Sequence, residues 1–305
     1  FVVQAANGKA YIENPIISGM LENGKDGLFV AEGSSSVKLI NLNFANNNVL
    51  PDSTLLTLTN NIEISTTSII ANNGGKGSII TVKGNDAKVK SLNVRNNNMD
   101  TNGIITIDDG AKFTIENASD FVGNTVSGNG GVMVIKGELT TDKELSFNNN
   151  TAAYGGALYI ANNGKVNSTS AIKFIENNAE HGAAIYGENI NEDSMNITTP
   201  YFEKNFVIAN EKGGVVEWNG TLKLTDATFE NSITQKTVGS GASAKTYYGG
   251  SLIADTNATE VTSVGAATNK LILTNPTFKN NNTEKDAILV ASLSNGSIIN
   301  GMVAN

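Results

Sequence analysis

Few side chains in this 305-residue sequence are suited to acid–base, nucleophilic or metal chemistry, and their spacing argues against catalysis. Charged residues make up 16% of the chain, against roughly 25% in an average soluble domain. Two adjacent carboxylate pairs stand out, Asp108-Asp109 and Glu192-Asp193. Glycoside hydrolysis needs two carboxylates facing one another across a bond, whereas neighbours on a strand point to opposite faces. Both pairs also sit in turn-like contexts, IDDGAK and NEDSMN, so they read as solvated turn carboxylates. Turn carbonyls beside them could hold Ca²⁺, but neither an EF-hand loop nor a GGxGxD repeat is present. The single arginine, Arg95, follows an apolar residue and is expected to face solvent. The single histidine, His181, lies in a turn where other repeats carry Gly; one histidine makes no zinc site. There are no cysteines, which excludes disulfides and thiolate-bound metals. Walker and Rossmann glycine loops are missing, since the glycine pairs precede strands and not helices. No enzyme activity, cofactor or metal site is expected.

Aromatic side chains are the better candidates for binding. Tyr159, Tyr186 and Trp218 recur at related positions, and Tyr247-Tyr248 stand together. Stacked, exposed rings can grip sugar faces or partner proteins; equally, such residues can be ordinary strand formers packing laterally. The elements that carry them decide between these readings.

Those elements repeat. FNNNTAAYGGALYI begins at Phe147, and FIENNAEHGAAIYG begins at Phe174. Aligning on the anchor gives Phe121, Phe147, Phe174, Phe202 and Phe229, separated by 26, 27, 28 and 27 residues. Backward steps reach Val94, Ile70, Phe44 and Ile17, and the next forward match is Phe278. A fixed period of this size means a solenoid. Leu145 precedes Phe147 and Ile172 precedes Phe174 by two positions, with polar residues between, which is strand periodicity. A second strand follows the glycine pair in GVMVIK, GALYIA, GVVEWN and GSLIAD, with Met133, Leu158, Val216 and Leu252 pointing inward. A third, more polar stretch such as KVNSTSAIK closes the coil. Three short strands per coil describe an all-β, right-handed parallel β-helix of about ten coils, roughly 50 Å long at ~4.8 Å per rung. The LxxLxL signature of leucine-rich repeats does not recur.

Three residues past the anchor the column reads Asn47, Asn73, Asn97, Asn124, Asn150, Asn177, Asn205 and Asn281, with Ser232 once and Met20 at the start. Asn both donates and accepts, so stacked copies are expected to form an internal ladder. Gly130-Gly131, Gly155-Gly156, Gly213-Gly214 and Gly249-Gly250 are expected to supply positive φ or close approach, with His181-Gly182-Ala183 as a looser version.

Phe-x-x-Asn combined with Gly-Gly-Ala-Leu resembles the paired repeats of the chlamydial polymorphic outer membrane proteins, and similar repeats occur in adhesin-like surface proteins of other bacteria and of archaea. The best copies run from Phe147 to Leu158 and from Phe174 to Ile185, with looser ones from Phe44 to Asn281. The resemblance implies a secreted or cell-surface adhesin: an autotransporter-like passenger or stalk in cell adhesion that binds a host or neighbouring-cell glycan or protein. Unlike the chlamydial proteins this chain lacks cysteine, and it shows no translocator barrel.

The remaining features fit that expectation. A net charge of -8 repels a phosphate backbone, so nucleic acid is not an expected partner. Apolar runs are too short to span a bilayer. Residues 1–305 read as one solenoid, with insertions near 232–248 and 255–269 that leave as surface loops, a common place for binding. Sequons at Asn117, Asn149, Asn167, Asn196, Asn219 and Asn257 matter only in a glycosylating host. A start at Phe and the want of end caps are expected of a segment of something longer. The competing class is a polysaccharide lyase or glycoside hydrolase, since both occur on parallel β-helices.

Overall fold

In the computed structural model, residues 2–4, 8–22, 28–32, 36–70, 74–101, 103–208, 214–232, 236–238, 245–247, 251–254, 269–281, 289–290, 298–300 and 303–304 are described. Among them there is no helix, and none long and apolar enough to cross a membrane. Short strands stack in parallel into a β-solenoid. The central coils, anchored at Phe121, Phe147 and Phe174, contain four strands and not three, as in Leu145–Asn148, Thr151–Tyr154, Leu158–Ile160 and Lys165–Ser168. The strand missed in the sequence is the short one after the asparagine. In earlier coils the polar and anchor strands run together without a break, as in Ala87–Arg95.

The anchor column is continuous in the strand register from Ile17 through Phe44, Ile69, Val94 and Phe121 to Phe147, Phe174, Phe202, Phe229 and Phe278. Ile69, and not Ile70, occupies the third place, next to Phe44; Ile70 pairs with Arg95. Two adjacent isoleucines made the one-residue slip invisible in the sequence. The regular part makes about seven turns, fewer than the ten expected. At the ends, pairing reaches Ile17 on one side and Ala304 on the other through coils that are only partly described. One coil is also stretched: Ser232 and Asn281, on adjacent rungs, are 49 residues apart.

The core is built from columns. Phe121, Phe147, Phe174, Phe202, Phe229 and Phe278 stack with ring centroids between 4.5 and 5.3 Å apart, matching the spacing of hydrogen-bonded strands. Burying each ring contributes on the order of 1.5–3 kcal/mol. Met133, Leu158, Ile185, Val216 and Leu252 form the expected inward column of the opposite sheet, all fully buried.

The asparagine ladder forms as expected. Asn97, Asn124, Asn150 and Asn177 each donate Nδ2 to Oδ1 of the next rung, at 2.9, 2.8, 2.9 and 3.1 Å. The same Oδ1 accepts the backbone N–H of the rung before, and each Nδ2 also donates to an anchor carbonyl, as from Asn150 to Phe121 at 2.9 Å. Buried amides are thereby satisfied in both roles. Asn73 lies outside the described residues. At Ser232 the ladder breaks: its backbone still donates to Asn281, but its buried Oγ has no partner among the described residues.

One turn device escaped the sequence reading. The residue before each ladder position is left-handed, with φ near +50°: Asn46, Asn96, Asn149, Glu176, Lys204, Asn231 and Asn280, and Gly123 at +66°. Asn adopts this region cheaply and Glu or Lys does not, so residue type alone conceals the pattern. At the other corner the two glycines divide the labour. Gly130, Gly155 and Gly182 supply positive φ. A Cβ on Gly131 would sit 1.9 Å from the Gly156 carbonyl oxygen, so close approach fixes the second position.

Candidate aromatic binding site

The corner between the short strand and the inward-column sheet carries the site. Thr151–Tyr154 pairs with Asn178–His181, placing Tyr154 beside His181. His181 therefore fills a tyrosine position and not a glycine one; Gly182 is the counterpart of Gly155, as their matching φ of +61° and +67° shows. After the glycine turn, Leu158–Ile160, Ile185–Ile190 and Val216–Thr225 bring Tyr159, Tyr186 and Glu217 into one outward column.

Rings from the two sides meet in the concave corner. Tyr154 stacks on His181 with centroids 4.8 Å apart and meets Tyr186 edge-on at 5.1 Å. Tyr159 stacks on Tyr186 at 5.5 Å. These separations and angles are those at which aromatic pairs attract beyond simple burial. Tyr154 is 37% exposed, Tyr159 and His181 are half-buried, and Tyr186 is only 7% exposed beneath them. Of the expected ring pair, then, Tyr159 offers a face to solvent while Tyr186 is its support. Tyr154 and His181 stand 27 residues apart, one repeat, and stack on adjacent rungs; the edge contact of Tyr154 with Tyr186 crosses the corner, where linear spacing gives no signal.

Two carboxylates hold the rings. Tyr159 donates its hydroxyl to Glu188 Oε2 at 2.6 Å. Burial, then the hydrogen bond and charge of Glu188, push the Tyr159 hydroxyl above the ordinary tyrosine pKa. Glu217 is 3% exposed, although it lies in the outward column. Its Oε1 is 2.9 Å from His181 Nδ1 and its Oε2 accepts Gly182 N–H at 3.2 Å. A carboxylate withdrawn from water needs such partners, and here they tie His181 to the sheet floor.

Trp218 does not join the patch. It is fully buried on the inward side of its strand. Its register neighbours are Gly187, whose lack of a side chain leaves room for an indole, and Ala254. Its Nε1 has no hydrogen-bond partner among the described residues. Being one residue off the outward column reverses its direction, which is the physical reason it falls out of the expected set. Tyr247 ends Lys245–Tyr247, an antiparallel partner of Lys236–Val238, so the first insertion contains a hairpin. Tyr248 and most of the second insertion lie outside the described residues. Asn269, at the insertion's end, is buried and accepts Gly220 N–H at 2.8 Å.

The other candidates take the places expected of them. Asp108 opens a turn and Glu192-Asp193 lie within another, closed by backbone bonds from Ala111 to Asp108 and from Ser194 to Asn191 at 3.0 Å. Asp109, Glu192 and Asp193 are exposed, and Glu192 pairs with Lys270 at 2.8 Å. Arg95 reaches Asp120 on the next rung at 3.5 Å and also donates to Asn93. Among the described residues no group of three or more His, Asp or Glu is placed to hold a metal ion. Compared with known protein families, with curated proteins and with solved structures, the chain gives no match.

Proposed function

We propose that this solenoid is a non-catalytic, adhesin-like stalk segment acting at the cell surface or after secretion, and that it binds host or neighbouring-cell surface molecules, glycan or protein, through the aromatic corner. The observation that carries this reading is the stack of Tyr154 on His181 beside Tyr159: rings partly open to solvent yet held by edge contacts, hydrogen bonds and a rigid β scaffold. Preorganised aromatic surfaces of this kind bind with little ordering cost. The Phe-x-x-Asn and Gly-Gly-Ala-Leu repeats support the adhesin class by their resemblance to polymorphic outer membrane proteins.

A second reading, a polysaccharide lyase or glycoside hydrolase, draws on the buried Glu217 beside His181. Both carboxylate oxygens are already engaged by Nδ1 of His181 and N–H of Gly182, an arrangement that orients the imidazole more than it prepares a reacting acid. Incubation with acidic and neutral polysaccharides, followed by assay of new reducing or unsaturated ends, separates the two. The binding reading expects none, together with capture of the chain by glycan arrays or intact cells; turnover abolished by Glu217→Gln would replace it with the enzyme.

A further inference from the structure

The outward column that ends in the tyrosines continues in the opposite direction as Val134, Thr106, Thr81 and Thr57. Thr81 and Thr106 form part of the floor of a polar groove of about 440 Å³, whose walls include Asp52, Ser53, Lys83, Asp108 and Lys136. Ser78, also in its lining, donates its hydroxyl to the Gly103 carbonyl at 2.9 Å and lies 2.8 Å from the Thr106 hydroxyl, so these two lining hydroxyls are bonded between strands. Val134, 6% exposed, bridges this groove to Tyr159 without a charge.

We propose that the groove is a second subsite and that the ligand running between it and the aromatic corner is a linear, uncharged glycan lying along the solenoid axis. This rests on the binding reading above and names its ligand class. Two ammonium groups and two carboxylates line the groove, a balance suited to neutral hydroxyl-rich chains, which use both donors and acceptors. A polyanion would meet Asp52 and Asp108 as well as a net charge of -8. An extended peptide has no sheet edge to join, because the floor strands are hydrogen-bonded on both sides. At the far end the rings of Tyr159 and Tyr154 offer apolar faces to the C–H faces of sugars. From Thr81 to Tyr159 is three rungs, roughly 14 Å, more than a disaccharide can span.

The test uses gluco-, manno- and xylo-oligosaccharides, β-1,4-linked, of two and six sugars, titrated calorimetrically into the whole chain. At least one hexasaccharide is expected to bind about 10-fold or more tighter than its disaccharide, because the second contact becomes intramolecular. The Lys83→Ala/Lys136→Ala variant, altering two exposed side chains, is expected to bring the hexasaccharide down to the disaccharide's affinity. Equal affinity for both lengths, or a double-lysine variant that binds the hexasaccharide like the wild type, overturns the second subsite. If Tyr154→Ala/Tyr159→Ala still abolishes binding in that case, the aromatic corner survives it. Failure of all three series to bind at millimolar concentration overturns the glycan assignment, while the adhesin reading is then decided by whether the tyrosine variant loses cell capture.

Discussion

Two columns climb the same solenoid, one residue per rung. The ladder at Asn97, Asn124, Asn150, Asn177 and Asn205 is essentially invariant and buried, whereas the outward column changes from Thr81 and Thr106 through Val134 to Tyr159, Tyr186 and Glu217. The first must repeat because each side chain completes the bonds of the rung before it. The second carries no such demand, so its residues are free to differ and to face ligands. In this chain repetition marks the scaffold and variation marks the site.

The sharpest way to stress that contrast is to damage the repeating side. Phe174→Ala removes a ring stacked on Phe147 and Phe202 and is expected to destabilise by about 3–5 kcal/mol, read from denaturant unfolding. Asn150→Ala leaves the Asn124 amide, the Asn124 backbone N–H and the Phe121 carbonyl without their bonds, for a loss of roughly 2–4 kcal/mol. Ser232→Asn runs the other way. It restores an acceptor at the rung after Asn205 and removes a buried unpaired hydroxyl, so a gain of about 1 kcal/mol is expected; a loss would show that the break is required by its surroundings.

The variable side should answer differently. Tyr154→Ala is expected to change stability by less than about 1 kcal/mol, as a surface substitution, and to weaken binding. Tyrosine ionisation gives the smallest effect. Burial, followed by the charges of Glu203 and Glu230, pushes Tyr201 up to about 12, and Tyr159 is raised as well. A raised acid keeps its proton in the folded state, so its contribution is whole below the unfolded value near 10 and fades as pH climbs through the folded one. Ultraviolet titration of the seven tyrosines should show these two ionising late, and Tyr201→Phe should remove one late step.

How much of this was legible in the sequence follows from the same contrast. The phenylalanine stack, the ladder and the inward column at Met133 and Leu158 were readable, because stacking forces one residue type back at each turn. The left-handed corner was not, since Asn149, Glu176 and Lys204 share a backbone conformation and no side-chain chemistry. His181 was aligned with a glycine although it stands one 27-residue repeat after Tyr154, and strand pairing sets the two side by side. Trp218 looked like part of an aromatic surface until alternation turned it inward, between the positions of Gly187 and Ala254. Glu217, an apparent surface charge, is buried and bonded to a ring from the preceding coil. Sites that cross coils are three-dimensional facts, and a repeat hides them.

The central claim, that recognition resides in the column that varies, is tested most directly by measuring the affinity of the Tyr154→Ala/Tyr159→Ala variant for the cell-surface material or glycan that captures the wild type, with its unfolding curve recorded alongside. The account predicts at least about a tenfold weaker affinity, the scale of a lost aromatic anchor, with the cooperative unfolding transition of the solenoid kept. Equal affinity from a variant that folds like the wild type would contradict it.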